Sequence, residues 1–75
     1  MKYYKINKYL PRCVRIVCKC LRENVEKQVC QIGEVIYGNI DTLYIDNDGD
    51  SYMECYDSFG TYLGNLCMNR FQSVD

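Results

Sequence analysis

Leu43-Tyr44-Ile45-Asp46-Asn47-Asp48-Gly49-Asp50-Ser51-Tyr52-Met53-Glu54-Cys55-Tyr56 is the stretch on which the fold turns. Two runs of β-branched, aromatic and other apolar residues flank five residues that contain only Asp, Asn and Gly. Those three residue types tolerate positive φ, and Asp and Asn side chains can also hold a turn by accepting nearby backbone amides. The pattern predicts a hairpin, with a strand over Thr42 to Ile45 and a return strand over Ser51 to Tyr56. The same run partly fits a calcium loop. Counting Asp46 as position 1 puts acids at positions 1, 3, 5, 9 and 12. Position 6, however, is Ser51 instead of the Gly that the sharp calcium-loop turn requires, and the flanks suit strands better than helices. The hairpin is the expectation carried forward, with no metal.

Moving outward, Asp57-Ser58-Phe59-Gly60 predicts a second turn, leading to a strand at Thr61 to Leu63 that bends at Gly64. A single helical turn near Met68 to Phe71 then precedes a last short strand. On the N-terminal side, Glu34 to Tyr37 reads as a short strand ended by Gly38-Asn39. Residues 12–21 alternate, with Val14, Ile16, Cys18 and Cys20 on one face and Arg15, Val17 and Lys19 on the other, predicting a strand buried on one face. Residues 22–32 are mixed: Val25, Val29 and Ile32 have helical spacing and Glu23–Lys27 is an i,i+4 pair, yet a long connecting loop fits equally well. Residues 1–11 form a basic Lys/Tyr arm closing at Pro11, compatible with helical spacing (Tyr3, Ile6, Leu10) or with an extended segment. The sum is a mainly β fold: one domain over residues 12–75, a small antiparallel barrel or strongly bent sheet of five to six short strands, with room for one short helix.

With 75 residues there is one domain and a small core. No His is present, which removes every His-dependent catalytic triad or dyad and every imidazole metal ligand. Carboxylates have no nucleophilic or basic partner at an interpretable spacing, and no Gly-rich phosphate loop occurs, so no enzymatic activity and no cofactor are expected. Cys13, Cys18, Cys20, Cys30, Cys55 and Cys67 include no C-x-x-C. Cys18-x-Cys20 could share a strand face and hold an ion, but cysteines set among Val and Ile read first as small core residues. Lysines at 2, 5 and 8 interrupt the apolar core a signal peptide needs, and no apolar run approaches a membrane span. A cytoplasmic protein with free thiols and no membrane association is expected.

The near-neutral net charge of −1 conceals a division. Residues 1–29 carry eight Lys/Arg against two Glu, a formal +6; residues 30–75 carry one Arg against eight Asp/Glu, a formal −7. Folding either merges these or sets out two surfaces of opposite sign. There are also 8 Tyr and 2 Phe. Tyr on strands is commonly half-buried structure, but exposed Tyr is also a favoured interface anchor. The candidate partner-binding set is therefore Asp41, Tyr44, Asp46, Asp48, Asp50, Tyr52, Glu54, Tyr56, Asp57 and Tyr62. A secondary basic patch comprises Lys2, Tyr4, Lys5, Lys8, Arg12 and Arg15. The leading expectation is a module that binds a protein partner. A nucleic-acid-binding module using the basic segment is the alternative, disfavoured by the acidic C-terminal half. A homo-oligomer paired through edge strands is a third.

Gly33-Glu-Val-Ile-Tyr37, Leu43-Tyr-Ile-Asp-Asn-Asp-Gly49, Asp57-x-x-Gly60 and Arg70-Phe-Gln-Ser-Val74 together resemble a loose group of small accessory proteins encoded by tailed bacteriophages, which have SH3-like barrels. The resemblance runs over residues 33–74, and its motifs mark strands and turns. It implies an SH3-like β-barrel and a non-enzymatic viral protein acting in the host cytoplasm as an inhibitor that binds a host or defence enzyme and occludes its surface. No catalytic residue is implied.

Overall fold

The structure is a computed structural model and describes residues 3–6, 12–20 and 30–74. The expectations for residues 22–29, and for Lys2 and Lys8, lie outside the described residues. Five strands are described: β1 (Cys13–Cys18), β2 (Val35–Ile45), β3 (Ser51–Tyr56), β4 (Tyr62–Cys67) and β5 (Phe71–Ser73). A 3-10 turn, Met68–Arg70, joins β4 to β5. All pairings are antiparallel, and the spatial order is β4-β3-β2-β1-β5. The fold is thus mainly β as expected, an open sheet with β4 and β5 at its edges rather than a closed barrel. No helix among the described residues is long and apolar enough to cross a membrane.

Both predicted turns are present and are built alike. In each, an Asp carboxylate Oδ1 accepts the amides two and four residues on: Asp46 from Asp48 and Asp50, Asp57 from Phe59 and Thr61. In each, the glycine amide donates to the Asp carbonyl, and that glycine, Gly49 or Gly60, has φ +86°. Asn47 and Asp48 stay at negative φ; the glycine alone takes the left-handed conformation that a side chain would resist.

Three expectations are corrected. First, Gly38-Asn39 does not end a strand: β2 runs unbroken from Val35 to Ile45. Gly38 has no positive φ, so it is not a turn glycine. It is small because Met53 lies across it: a Cβ there would meet Met53 Cε at 2.5 Å. Second, the strand expected over 12–21 ends at Cys18, where Lys19 and Cys20 turn their amides to the Arg70 carbonyl. Cys20 is consequently exposed instead of sharing the buried face with Cys18, and the two do not form a strand-face ion site. Third, β4 extends to Cys67 instead of stopping at Leu63, because a one-residue register shift between Cys55 and Tyr56 lets the strand continue through Gly64 at φ +123°. At the N-terminal side, Tyr4 and Cys13 exchange backbone hydrogen bonds, so part of the arm lies beside β1 where β5 does not reach.

Alternation along the strands sorts side chains onto two faces. One face carries Val14, Ile16, Cys18, Ile36, Met53, Cys55 and Leu66, which with Cys30 form the core; Ile40, Leu63, Met68 and Phe71 pack against it. Burial of each large aliphatic side chain contributes about 1.5–3 kcal/mol. Interspersed cysteines keep the core volume small, which suits so short a sheet. A cleft of about 210 Å³ opens between this face and the β5 end, lined by residues including Ile40, Leu43, Met53, Met68 and Phe71.

Candidate protein-interaction face

The other face of the sheet is where the tyrosines lie. Register pairing sets Arg15 opposite Tyr37, Tyr37 opposite Tyr56, and Tyr56 opposite Tyr62, so one row crosses β1, β2, β3 and β4. The next row holds Asn39, Glu54 and Asn65, and the row beyond it Tyr44, Tyr52 and Cys67. Antiparallel partners point to the same side. The expected residues Tyr44, Tyr52, Glu54, Tyr56 and Tyr62 are thereby brought together on one surface, with Glu54 between two tyrosine pairs.

Each pair is held by ring contact. Tyr44 and Tyr52 stack at 5.4 Å with an interplanar angle of 17°, and the Tyr44 hydroxyl accepts from Asn65 Nδ2 at 2.8 Å. Tyr56 and Tyr62 lie 5.4 Å apart, tilted by 56°. Tyr44 and Tyr62 remain about half exposed. Burial raises the phenol pKa of Tyr52, helped by Asp46, and that of Tyr56, helped by Glu54. At neutral pH both hydroxyls are protonated, as an unshifted phenol also is, and that of Tyr52 is engaged with the Asp46 carboxylate. Among the described residues, the Glu54 carboxylate has no ion-pair or hydrogen-bond partner and acts on the neighbouring Tyr56 hydroxyl through its charge alone, while its amide donates to Thr42.

The basic side is organised differently. Arg12 pairs with Asp41 at 2.9 Å and stacks over Tyr3 at 5.2 Å, while Arg15 stacks over Tyr4 at 4.8 Å and Tyr4 meets Tyr37 edge-on at 6.1 Å. The opposite charges of the two chain segments thus meet at the β1–β2 seam. An exposed ion pair of this kind contributes up to about 1 kcal/mol. Of the remaining expected residues, Asp46 and Asp57 hold the two turns, and Asp50 accepts from Asn69 Nδ2 at 2.6 Å. Asp48 and Lys5 are exposed. Asp48, Asp50 and Asp57 flank the tyrosine face at the ends of the strands, while the Asp46 carboxylate also reaches the Tyr52 hydroxyl at its edge. Tyr37 and Asn65 belong to the face but are absent from the expected set. Tyr37 joins the face through its pairing with Tyr56, a register that alternation within either strand does not specify, and nothing in the sequence marks Asn65.

Among the described residues, no group of three or more His, Cys, Asp or Glu is arranged to hold a metal ion. Comparison with protein-family models, with curated proteins and with solved structures returns no match.

Proposed function

We propose that this protein is a non-enzymatic protein-binding module that engages its partner through the tyrosine face of β2, β3 and β4. The observation that carries this reading is the gathering of Tyr44, Tyr52, Tyr56 and Tyr62 around Glu54 on one side of the sheet, opposite the core. Tyrosines locked against one another lose little rotamer freedom on binding and present both ring and hydroxyl, the combination favoured at the centre of interfaces. Following the resemblance to phage accessory proteins, the partner is a host or defence enzyme whose surface the module occludes, and the setting is the host cytoplasm. The nucleic-acid alternative is weaker, because Arg12 and Arg15 are already engaged with Asp41 and with tyrosine rings.

Affinity capture from a bacterial lysate with quantitative mass spectrometry tests the proposal. The unaltered chain should retain a protein at stoichiometric level, and the double variant Tyr52→Ala, Tyr56→Ala should lose it while remaining folded. Retention of no such protein, or equal retention by both, would overturn the proposal. A salt-sensitive gel shift lost on replacing Lys2, Lys5 and Lys8 would instead favour nucleic acid.

A further inference from the structure

We infer that the tyrosine face recognises an arginine side chain of a basic protein segment, seated with its guanidinium on the Glu54 carboxylate between the Tyr44–Tyr52 and Tyr56–Tyr62 pairs. This rests on the protein-binding reading above and names the chemistry of its ligand.

The first argument is that the chain already builds the same arrangement from its own residues. Arg12 lies 5.2 Å over the Tyr3 ring while its guanidinium pairs with Asp41 at 2.9 Å, and Arg15 lies 4.8 Å over the Tyr4 ring. At the β1 side of the sheet, tyrosine and carboxylate therefore come with an arginine. At the β3–β4 side the tyrosines and the carboxylate recur, but among the described residues no cation stands on Glu54. The second argument is charge. Over residues 30–74 the only cation is Arg70, on the 3-10 turn, against seven acids. Asp46, Asp48 and Asp50 at one end and Asp57 at the other surround the face with negative potential, which steers a basic segment toward it and repels an acidic one.

Arginine fits better than lysine. Its guanidinium is planar and weakly hydrated, so it can stack on a phenol ring and offer two parallel N–H donors to one carboxylate at the same time; an ammonium offers a hydrated point charge. A second copy of this chain is the less favoured donor, since Arg12, Arg15 and Arg70, three of its four arginines, already have partners within their own molecule.

The test is an NMR titration of the full chain with a capped Gly-Ser peptide carrying four arginines, alongside peptides of the same length carrying four lysines or four citrullines. The arginine peptide should shift the amides of residues 52–56 and the rings of Tyr44, Tyr52, Tyr56 and Tyr62. The lysine peptide should bind roughly ten-fold more weakly, and citrulline, which keeps the shape but not the charge, should not bind measurably. Glu54→Gln should weaken the arginine peptide roughly ten-fold at an unchanged melting temperature. Equal binding of arginine and citrulline, shifts confined to the Asp46–Asp50 turn or the apolar cleft, or an unaffected Glu54→Gln variant would overturn the inference. So would self-association without peptide that Glu54→Gln abolishes, which would assign the face to a second copy. Should Glu54→Gln fail to fold, the three-peptide series on the unaltered chain decides. Loss of a captured protein by Tyr52→Ala, Tyr56→Ala but not by Glu54→Gln rejects arginine and keeps protein binding. Peptide binding at Glu54 without any captured protein does the reverse.

Discussion

The Glu54 amide donates to the Thr42 hydroxyl at 2.9 Å, a side-chain oxygen standing where the ladder between β2 and β3 would otherwise offer a carbonyl. Residues 37–39 pair with 54–56 and residues 44–45 with 51–52, so the four residues 40–43 stand opposite Met53 alone. The irregularity is secured at both ends. Thr42 Oγ1 donates its own proton to the Asn39 carbonyl at 2.7 Å, and Asn39 Oδ1 accepts the Asp41 amide at 3.1 Å. Its consequence is for the face. Three extra residues are an odd number, and an odd insertion exchanges the two sides of a strand. Without it, Tyr44 would point to the core side instead of stacking on Tyr52.

Thr42→Val should therefore cost about 1–3 kcal/mol, since it leaves the Glu54 amide without an acceptor at nearly constant volume. Thr42→Ser, which keeps the oxygen, should cost less. Urea denaturation measures both, and hydrogen exchange at the Glu54 amide should speed up in the Val variant alone. Equal stability of the Val and Ser variants would show that the hydroxyl does not hold the bulge.

Gly38 and Met53 define a close approach on the core face. An added Cβ at Gly38 would lie 2.5 Å from Met53 Cε and 3.2 Å from its Sδ. Met is flexible and its tip can swing aside, so the expected penalty for Gly38→Ala is moderate, about 1 kcal/mol after the backbone-entropy gain of replacing Gly. The double variant Gly38→Ala, Met53→Ala should be more stable than the two single losses added together predict, because the shortened side chain removes the clash. Strict additivity in urea melts would mean that the two residues do not crowd each other.

Gly38 also shows why the strand boundaries were only partly legible in sequence. A glycine beside Asn39 carries the same local signal whether it starts a turn or makes room for a methionine fifteen residues away, and only the register of β3 on β2 distinguishes the two. The Asp-x-x-Gly turns, by contrast, were legible because their hydrogen bonds close within five residues. The candidate face falls between these cases. Tyr52, Glu54 and Tyr56 share a side by alternation alone, while Tyr44 joins them through a bulge that nothing in Ile40-Asp41-Thr42-Leu43 announces. Cys20 was misplaced for a related reason: alternation has no means of showing that β1 stops at Cys18.

The thiols make the burial pattern measurable. Cys13, Cys18, Cys30, Cys55 and Cys67 are buried and Cys20 is exposed. A chromogenic disulfide reagent should react with Cys20 quickly in the native protein and with the five buried thiols only as fast as the structure opens. Cys20→Ser should abolish the fast phase. A fast phase surviving that change would place another thiol at the surface.

Burial also couples these groups to alkaline stability. Desolvation pushes the Cys55 thiol from 9.0 up to about 12, the nearby Cys30 and Cys13 adding to it against a lowering backbone hydrogen bond at Leu66. A group whose folded pKa lies above its unfolded pKa contributes fully below the unfolded value and loses that contribution as pH rises through the folded one. The urea midpoint should therefore be unaffected by this thiol below pH 9 and fall between pH 9 and about 12. Tyr52 and Tyr56, also raised by burial, act in the same direction above pH 10. Cys55→Ala should reduce the steepness of that fall without removing it. A midpoint that rose with pH over this window would contradict the buried assignment of Cys55.

Asp46 and Asp57 were both candidates for partner contact, and their geometry separates anchoring a turn from offering a charge. Each uses Oδ1 to accept two backbone amides at 2.9–3.0 Å. Asparagine keeps that oxygen and removes the charge; alanine removes both. Asp46→Ala and Asp57→Ala should each cost about 1 kcal/mol, and the Asn variants should recover most of it. Partner binding divides the substitutions the other way. If the turn acids act by steering, Asp46→Asn and Asp57→Asn should slow association at low salt, lose that effect at high salt, and leave dissociation unchanged. Glu54→Gln, inside the face, should act mainly on dissociation. Surface plasmon resonance at two ionic strengths distinguishes them, and faster dissociation of either Asn variant at high salt would move its carboxylate from the surroundings of the interface into direct contact.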